Sequence, residues 1–312
     1  MLRFILMRIL MMIPVLIGIS FLIFVIINLT PGDPGRMILG ERASAEAVHE
    51  LNMSLGYYDP LPVRYIRYMG GVLRGDFGQS WRTGANVSDE IAARFPTTLL
   101  LSTLTIVFVS VTAIPLGVMV ALKKDSIADG VAMIIALVFL AIPTFWLGLI
   151  LMLVFALYLN LLPATGADSL IHFVLPTIAL SALSVAQIMR MTRASMLEVV
   201  RQDYIRTAIA KGADNRVVIW RHAIRNALLP VVTMMGVNFG YALGGAVITE
   251  SVFGMPGIGT LLVTAIRAKD VPLVMGSVIF MAFLFSVVTL LVDLSYSFFD
   301  PRIKAQYSTK KG

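Results

Sequence analysis

Long stretches without a charged side chain alternate with short charged segments along this chain of 312 residues. Six of these stretches reach the roughly 20 mostly apolar residues that a helix needs to cross a bilayer. They lie between Arg8 and Asp33, Arg94 and Lys123, Asp129 and Asp168, Asp168 and Arg190, Arg225 and Glu250, and Asp270 and Asp293. We call them spans 1 to 6; the third also has room for a turn at Asn160–Asp168. The pattern predicts an all-α integral membrane protein with six transmembrane helices.

Composition agrees with this class and excludes several kinds of chemistry. Hydrophobic residues make up 58% of the chain and charged residues 14%, whereas a soluble domain has about 25% charged residues. Since the chain has no cysteine, disulfides, thiol catalysis and thiolate metal sites are excluded. The apolar run after Arg8 is longer than the core of a signal peptide, so residues 1–28 are expected to remain as a transmembrane helix.

The positions of lysine and arginine predict the orientation of the helices, because these residues concentrate in cytoplasmic loops. The segment Arg190–Arg225 between spans 4 and 5 holds eight of them, whereas the loop Asn160–Leu170 holds none. The loop before span 6, which contains the sequence GMPGIG, has only Arg267 and Lys269. Both termini are therefore predicted to be cytoplasmic, with residues 301–312 as a cytoplasmic tail.

Residues 29–97, between spans 1 and 2, form the longest segment outside the predicted membrane. Seven arginines and eight acidic residues nearly cancel there, and the sequences TPGDPG and YYDPLP are turn signals. The stretch PVRYIRYMGGVLRGDFG has the pattern of a short amphipathic helix that ends at glycine. We predict a small extracytoplasmic cap, called the cap segment below, that offers a docking surface for an extracytoplasmic protein.

Prolines recur within the predicted spans, among them Pro14, Pro115, Pro143 and Pro176. A proline removes one backbone hydrogen bond and kinks a helix, and neighbouring helices in a bundle can satisfy the freed carbonyl. Kinked helices often occur in proteins whose helices move, but they are also ordinary in membrane helices. Both interpretations stay open.

Span 5 carries a face of small residues together with several polar side chains. Glycines recur there at four-residue steps, at Gly236, Gly240 and Gly244. Such a face allows close helix approach, either within this chain or against a second subunit. The candidates for lining a polar pathway are Asn238, Tyr241 and Glu250; Asn238 and Tyr241 flank the glycine face and could equally be satisfied within the bundle.

The segment Arg190–Arg225 interrupts the apolar pattern with eight basic and three acidic residues. A charge at the membrane centre costs about 2.5–3.5 kcal/mol, so eleven charges exclude insertion and predict a cytoplasmic position. Met196, Val200 and Tyr204 nevertheless recur at helical spacing, and this apolar stripe continues to Ile209. The spacing predicts one helix through these positions.

Gly212 breaks this predicted helix, and Asp214 can cap a second short helix with Val217 and Trp220 on its apolar side. The two helices would meet at Gly212–Ala213, with apolar sides against the membrane face and basic sides in water. A glycine at the apex lets another protein approach the backbone closely. An electrostatic collar for anionic lipid headgroups is the alternative interpretation.

The same segment resembles the cytoplasmic coupling loop, or EAA loop, of ATP-binding-cassette (ABC) importer permeases of the dipeptide/oligopeptide/nickel branch. That branch typically reads DYIRTARAKG…RHALRNALLP, and this chain has DYIRTAIAKG…RHAIRNALLP. Arg206, Thr207 and Ala208 stand where the general loop has Glu-Ala-Ala, and Gly212 matches its glycine. The sequences TPGDP, GDFGQS, RMTRASMLEVV, ESVFGMPGIG and DLSYSFFDPRI also resemble that branch, in order, over nearly the whole chain.

The resemblance implies a type I ABC importer permease fold, with its transmembrane domain over residues 98–300 and a coupling helix in the loop 190–228. It implies a bacterial inner-membrane subunit that pairs with a second permease as a heterodimer, two ABC ATPases and an extracytoplasmic solute-binding protein. The residues implied to contact the ATPases are Arg206, Thr207, Ala208, Lys211, Gly212, Ala213 and Asp214. Small peptides are the expected cargo, and nickel chelates, glutathione and opines are alternatives within the branch.

The sequence gives little support for a cofactor, catalytic or metal site in this chain. Without a G-x-x-x-x-G-K-[ST] motif, no cofactor is expected in this chain, and ATP and Mg are expected in partner ATPases. No catalytic residue or metal site is predicted, since hydrolase and metalloprotease motifs are absent and the three histidines lie in different segments. Membrane lipid is expected as a partner and nucleic acid is not. An ATP-independent secondary transporter is the alternative of another class, although the spans hold few ionisable residues and no obvious inverted repeat.

Overall fold

The computed structural model describes residues 2–29 and 32–299; Thr30, Pro31 and the predicted tail 301–312 lie outside this range. Regular structure in the described residues is helical, apart from one isolated bridge between Gln79 and Asn86. The helices are α1 (Leu2–Leu29), α2 (Pro34–Leu39), α3 (Ala45–Ser54), α4 (Leu61–Val72), α5 (Val87–Leu122), α6 (Ile127–Ala141), α7 (Thr144–Leu151), α8 (Val174–Val199), α9 (Asp203–Ala210), α10 (Asn215–Val217), α11 (Ile224–Val252), α12 (Ile258–Arg267) and α13 (Val271–Phe299). One π-helical segment, Met152–Tyr158, follows α7, and a second, Val218–Ala223, joins α10 to α11. A 3-10 turn, Leu170–Phe173, precedes α8.

Among the described residues, five helices are long and apolar enough to cross a membrane, and a bent pair supplies a sixth span. Spans 1, 2, 4, 5 and 6 correspond to α1, α5, α8, α11 and α13. Span 3 consists of α6 and α7 with its π-helical extension, and the two halves are bent by 103°. The predicted six-helix, all-α class is confirmed, with the third span broken in the middle.

The break in span 3 lies at Pro143, which stands immediately before α7. Ile142 has φ −79° and ψ 125°, the extended conformation that a following proline favours. Pro14 and Pro115 lie inside continuous helices, and Pro176 lies in the first turn of α8, where a missing N–H is tolerated. Of these four prolines, only Pro143 separates two helices.

Residues 99–255 and 287–299 form one compact unit. Its central element is α8, which packs against α6, α7 and α11 and buries residues along most of its length. The backbones of α5 and α8 approach closely, because a Cβ on Gly117 would lie 2.6 Å from the carbonyl oxygen of Met189. This packing holds α8 firmly up to the point where it leaves the apolar bundle.

Residues 2–98 and 256–286 form a second compact unit, which contains the cap segment. Asn52 is fully buried; it accepts the N–H of Gly35 at 2.8 Å and donates to the Asp33 carboxylate at 2.6 Å. Asp33 in turn caps α2 by accepting the N–H of Arg36. The hydrogen bond from Asn52 holds the pKa of Asp33 below its ordinary value. The cap segment is thus folded, and its predicted amphipathic helix is α4.

The segment between spans 5 and 6 contains the helix α12, which begins at Ile258. The predicted loop GMPGIG is therefore non-helical up to Gly257, and only its last two residues belong to a helix. The Thr260 hydroxyl closes the first turn by accepting the N–H of Gly257 at 3.1 Å and donating to its carbonyl at 2.9 Å. The N–H of Ile258 donates to the hydroxyl of Thr98 at 2.9 Å, and Ile258 and Leu261 are buried. The helix forms because its apolar residues recur at helical spacing and bury one side.

Candidate coupling site

The segment after α8 turns sharply and forms the short helix α9. The two helices are separate, since Gln202 has φ −73° and ψ 149°, an extended conformation that ends the helical path. The prediction of one helix from Met196 to Ile209 is therefore wrong. The apolar spacing runs through both helices, but the chain changes direction between them.

One face of α9 packs against the helical bundle and the other faces outward. Ile205 is 1% exposed and lies in an apolar cluster with Val118 of α5, Met196 of α8 and Ile224 of α11. Ile209, on the same helix, is 52% exposed. The buried face attaches α9 to three of the membrane-crossing helices, so a push on α9 would be transmitted to them.

The turn after α9 requires a glycine because of its backbone conformation. Gly212 has φ +78°, in the left-handed region that side chains disfavour. Its N–H donates to the carbonyl of Ile209 at 2.9 Å, and the N–H of Ala213 donates to the carbonyl of Ala208 at 3.2 Å. These two bonds form a Schellman motif. Space is not the constraint, since no heavy atom lies within 4 Å of a Cβ placed on Gly212.

The chain beyond the turn begins the helix that becomes span 5. Asp214 starts it by accepting the N–H of Arg216 at its carboxylate, 3.0 Å away, and α10, the π-helical segment and α11 then follow without a gap. The prediction of a second short helix is therefore wrong, because the apolar positions run on into the membrane. Trp220 is 72% exposed, so it is not part of the buried stripe.

The structure brings all seven predicted coupling residues together around this turn. The exposed ones are Arg206, Thr207, Lys211, Gly212 and Asp214, whereas Ala208 and Ala213 are half-buried against the bundle. The contact between Arg206 and Asp203 is 4.0 Å long with both side chains exposed, so it contributes little to stability. The outward face is thus polar and basic, with apolar patches at Ile209 and Trp220.

An ion pair that sequence patterns do not reveal ties α8 to the start of α6. Arg193 Nε and Nη2 donate to the two carboxylate oxygens of Asp129, at 2.7 Å and 2.6 Å. Asp129 is 4% exposed and also accepts the N–H of Asp125 at 3.0 Å. A two-point contact fixes the angle of the guanidinium group. It therefore holds α8 in place six residues before its end, shortly before the chain leads into α9.

The three pathway candidates lie in different environments and do not come together. Asn238 is 4% exposed; it accepts the hydroxyl of Ser184 at 2.8 Å and donates to the Met234 carbonyl at 2.9 Å. Tyr241 is 68% exposed, and Glu250 is fully buried. In this chain Asn238 therefore joins α11 to α8 by a polar contact inside the bundle.

The glycine face of α11 divides into an inner and an outer part. A Cβ on Gly236 would lie only 2.1 Å from a methyl carbon of Val292, so Gly236 permits close packing of α11 on α13. Gly240 is buried. Gly244 is exposed, and no heavy atom lies within 4 Å of a Cβ placed on it. The face thus serves packing within the chain at one end and is open at the other.

The histidines lie on three separate elements, each with a local contact. His49 Nδ1 is 3.2 Å from the Tyr58 hydroxyl, His172 Nδ1 is 2.9 Å from the Ser169 hydroxyl, and the carbonyl of His222 accepts the Asn226 amide. Within residues 2–29 and 32–299, no three metal-ligating side chains are grouped.

Comparison with known proteins shows which family has this architecture. Residues 113–305 match the family described as "Binding-protein-dependent transport system inner membrane component", and residues 1–102 match the N-terminal part of such membrane components. The dipeptide transport system permease protein DppB of Alkalihalophilus pseudofirmus is 40% identical over 97% of this chain and 100% of its own length. The glutathione transport system permease protein GsiC of Escherichia coli (strain K12) is 38% identical over 97% of this chain and 99% of its own.

A solved structure supports the same fold. The crystal structure of an amino acid ABC transporter with histidines is similar, with a TM-score of 0.51 and 19% identity over 69% of this chain and 94% of that one. This likeness concerns the fold alone. With six membrane spans and family matches along almost its whole length, the chain belongs to the binding-protein-dependent transport system inner membrane components and is a multi-pass permease subunit of an ABC importer.

Proposed function

We propose that this permease imports small peptides. The observation that carries the proposal is the 40% identity to a dipeptide permease over 97% of this chain and 100% of that relative, together with the 38% identity to glutathione permeases. Glutathione is itself a short peptide, so both kinds of relative point to one class of cargo. Nickel chelates and opines, the other expected cargoes of the branch, are the alternatives.

In the proposed mechanism, α9 and the Gly212 turn form the contact with an ABC ATPase. The support is geometric: the turn projects outward, while Ile205 attaches the same helix to α5, α8 and α11. Movement of the ATPases would then displace the ends of spans 2, 4 and 5 together. ATP and Mg bind in the partner ATPases in this proposal, and this chain contributes no cofactor site.

We place the coupling turn and both termini in the cytoplasm and the cap segment outside. Eight basic residues between Arg190 and Arg225 support this orientation. A second, different permease would complete the pathway as a heterodimer, and Tyr241 and Gly244 on the open face of α11 are candidates for that seam. The cap segment would receive the solute-binding protein.

The cargo is tested by purifying the complex in mild detergent, identifying its subunits and reconstituting it in liposomes. We expect a second permease, ATPases, and ATP hydrolysis that rises when a binding protein loaded with dipeptide is added. Glutathione and a nickel chelate are the competing cargoes in the same assay. Stimulation by glutathione alone would narrow the peptide proposal to glutathione, and stimulation by the nickel chelate alone would replace it. Transport without ATP would overturn the importer mechanism and favour a secondary transporter.

A further inference from the structure

A cavity of about 710 Å³ lies within the unit formed by residues 2–98 and 256–286. Its walls come from α4, from the loop 78–84 and from the first turns of α13, with Phe24 of α1 also in the lining. The coupling turn is not part of it. Its size is in the range of sites for small molecules.

The cavity is cationic. Three arginines line it, Arg64, Arg67 and Arg82, and no carboxylate is among its lining residues. Arg67 pairs with Asp59 at 2.6 Å, whereas neither Arg64 nor Arg82 forms an ion pair within the described residues. The nearby carboxylate of Asp270 already accepts the Ser80 hydroxyl and the backbone N–H groups of the loop. Two of the three arginines therefore lack a direct ion-pair partner among the described residues, although the charge of Asp59 acts on Arg64 from farther away.

Arg64 is the more buried of these two charges. Its guanidinium carbon lies 5.0 Å from the centre of the Tyr57 ring and 6.0 Å from that of Phe24. Burial lowers the pKa of Arg64, which means that the protein does not fully replace its hydration. Contact with aromatic faces compensates a cation only in part. An anion in the cavity would supply what is missing.

A buried hydroxyl group in the same wall also lacks a partner. Tyr68 lines the cavity, and its hydroxyl oxygen is buried without a hydrogen bond to any described residue. Burial raises the pKa of Tyr68, so the group stays protonated and can donate. Buried polar groups in proteins are nearly always paired, so this hydroxyl is a donor that the described residues around the cavity leave unused.

The other side of the cavity is apolar and reaches into the membrane. Phe24 lies within the membrane span Ile5–Leu29, and Met275 lies within the span Val271–Val292. Both positions are a few residues inside the cap-side ends of these spans. Both side chains are already buried, whereas Ile38 and Leu55 in the lining are 39% and 42% exposed. A ligand that fills the whole cavity therefore needs an anionic head for the arginines and an apolar part for Ile38 and Leu55. A free phosphate or a peptide carboxylate would leave these two apolar side chains uncovered.

We infer that this cavity binds the headgroup of an anionic phospholipid, with its phosphate at Arg64 and Arg82 and its glycerol and acyl carbons along Ile38 and Leu55. Arginine binds phosphate through strong charge-assisted hydrogen bonds, and Trp81 in the lining suits the interfacial level. A bound lipid would fasten the cap segment to α1 and α13. The lipid would thus act as a structural ligand of the cap, whatever the cargo of the importer.

The test measures binding of phosphatidylglycerol and phosphatidylcholine to the purified complex by native mass spectrometry, together with thermal unfolding. Phosphatidylglycerol should bind more tightly and raise the unfolding temperature more. Arg82→Gln should weaken its binding about fivefold, and Arg64→Gln with Arg82→Gln about twenty-fivefold. The matched control is Arg42→Gln, which removes an exposed charge of the cap segment outside the cavity and should leave binding unchanged.

Three outcomes would overturn the inference. Equal binding of the two lipids would remove the requirement for a net anionic headgroup. Unchanged binding in Arg82→Gln, which removes an exposed side chain and should fold normally, would place the lipid elsewhere. Equal protection by inorganic phosphate or a free dipeptide would assign the cavity to a soluble anion. None of these results depends on whether the importer carries peptides.

Discussion

Replacing Ile205 with alanine tests whether α9 works through its attachment to the bundle. The Ile205 side chain is 1% exposed and packs against Val118, Met196 and Ile224. A helix of eight residues has little stability of its own, because isolated helices of this length do not persist in water. The position of α9 should therefore depend strongly on this one buried side chain.

The magnitude follows from the size of the truncation. Replacing a buried isoleucine with alanine costs about 2–5 kcal/mol, and the lower end applies because a short surface helix can move into the space. About 2 kcal/mol raises the ratio of detached to attached α9 about thirtyfold. The matched control is Ile209→Ala, since Ile209 on the same helix is 52% exposed.

Two assays read the result. Detachment exposes the chain around Arg206 and Lys211, so trypsin should cut Ile205→Ala there up to about thirty times faster, if opening and closing outpace cleavage. The Ile209→Ala control should be cut at the wild-type rate. In the reconstituted importer, Ile205→Ala should lose most of the ATP hydrolysis that the loaded binding protein stimulates. Unchanged cleavage together with unchanged stimulation would refute the proposed role of this contact.

Three further changes test other contacts. Gly212→Val should reduce stimulated ATP hydrolysis about tenfold and Gly212→Asn much less, since asparagine tolerates the left-handed backbone; equal losses would contradict this reason. Asp129→Asn should lower the thermal unfolding temperature. Adding Arg193→Gln should restore part of this loss, because it removes the half-buried cation that Asp129→Asn leaves unpaired. A fully additive loss in the double variant would contradict the pairing. Gly236→Leu should yield aggregated protein in size-exclusion chromatography, because a side chain at Gly236 meets Val292 of α13. Gly244→Leu should yield a folded chain, because a side chain there meets no described residue. The same elution profile for both variants would be inconsistent with the divided face.

The sequence by itself determined the class, the spans and the turn at Gly212. In lipid every backbone polar group must be satisfied internally, so a sufficiently long apolar stretch already implies a helix. The broken third span is also local, because Pro143 acts on the residue before it. The turn at Gly212 involves only residues 208–213, so its motif is contained in a short stretch of sequence.

Only the tertiary structure decided which residues meet. Asp129 and Arg193 are 64 positions apart, and neither local sequence requires the other. Periodicity marks Ile205 and Ile209 as apolar positions, but the packing of α5, α8 and α11 determines that the first is covered and the second is not. Likewise, Arg64 and Arg82 share a cavity because the cap segment folds back on itself. Contacts of this kind depend on the assembled bundle, and local patterns carry no information about them.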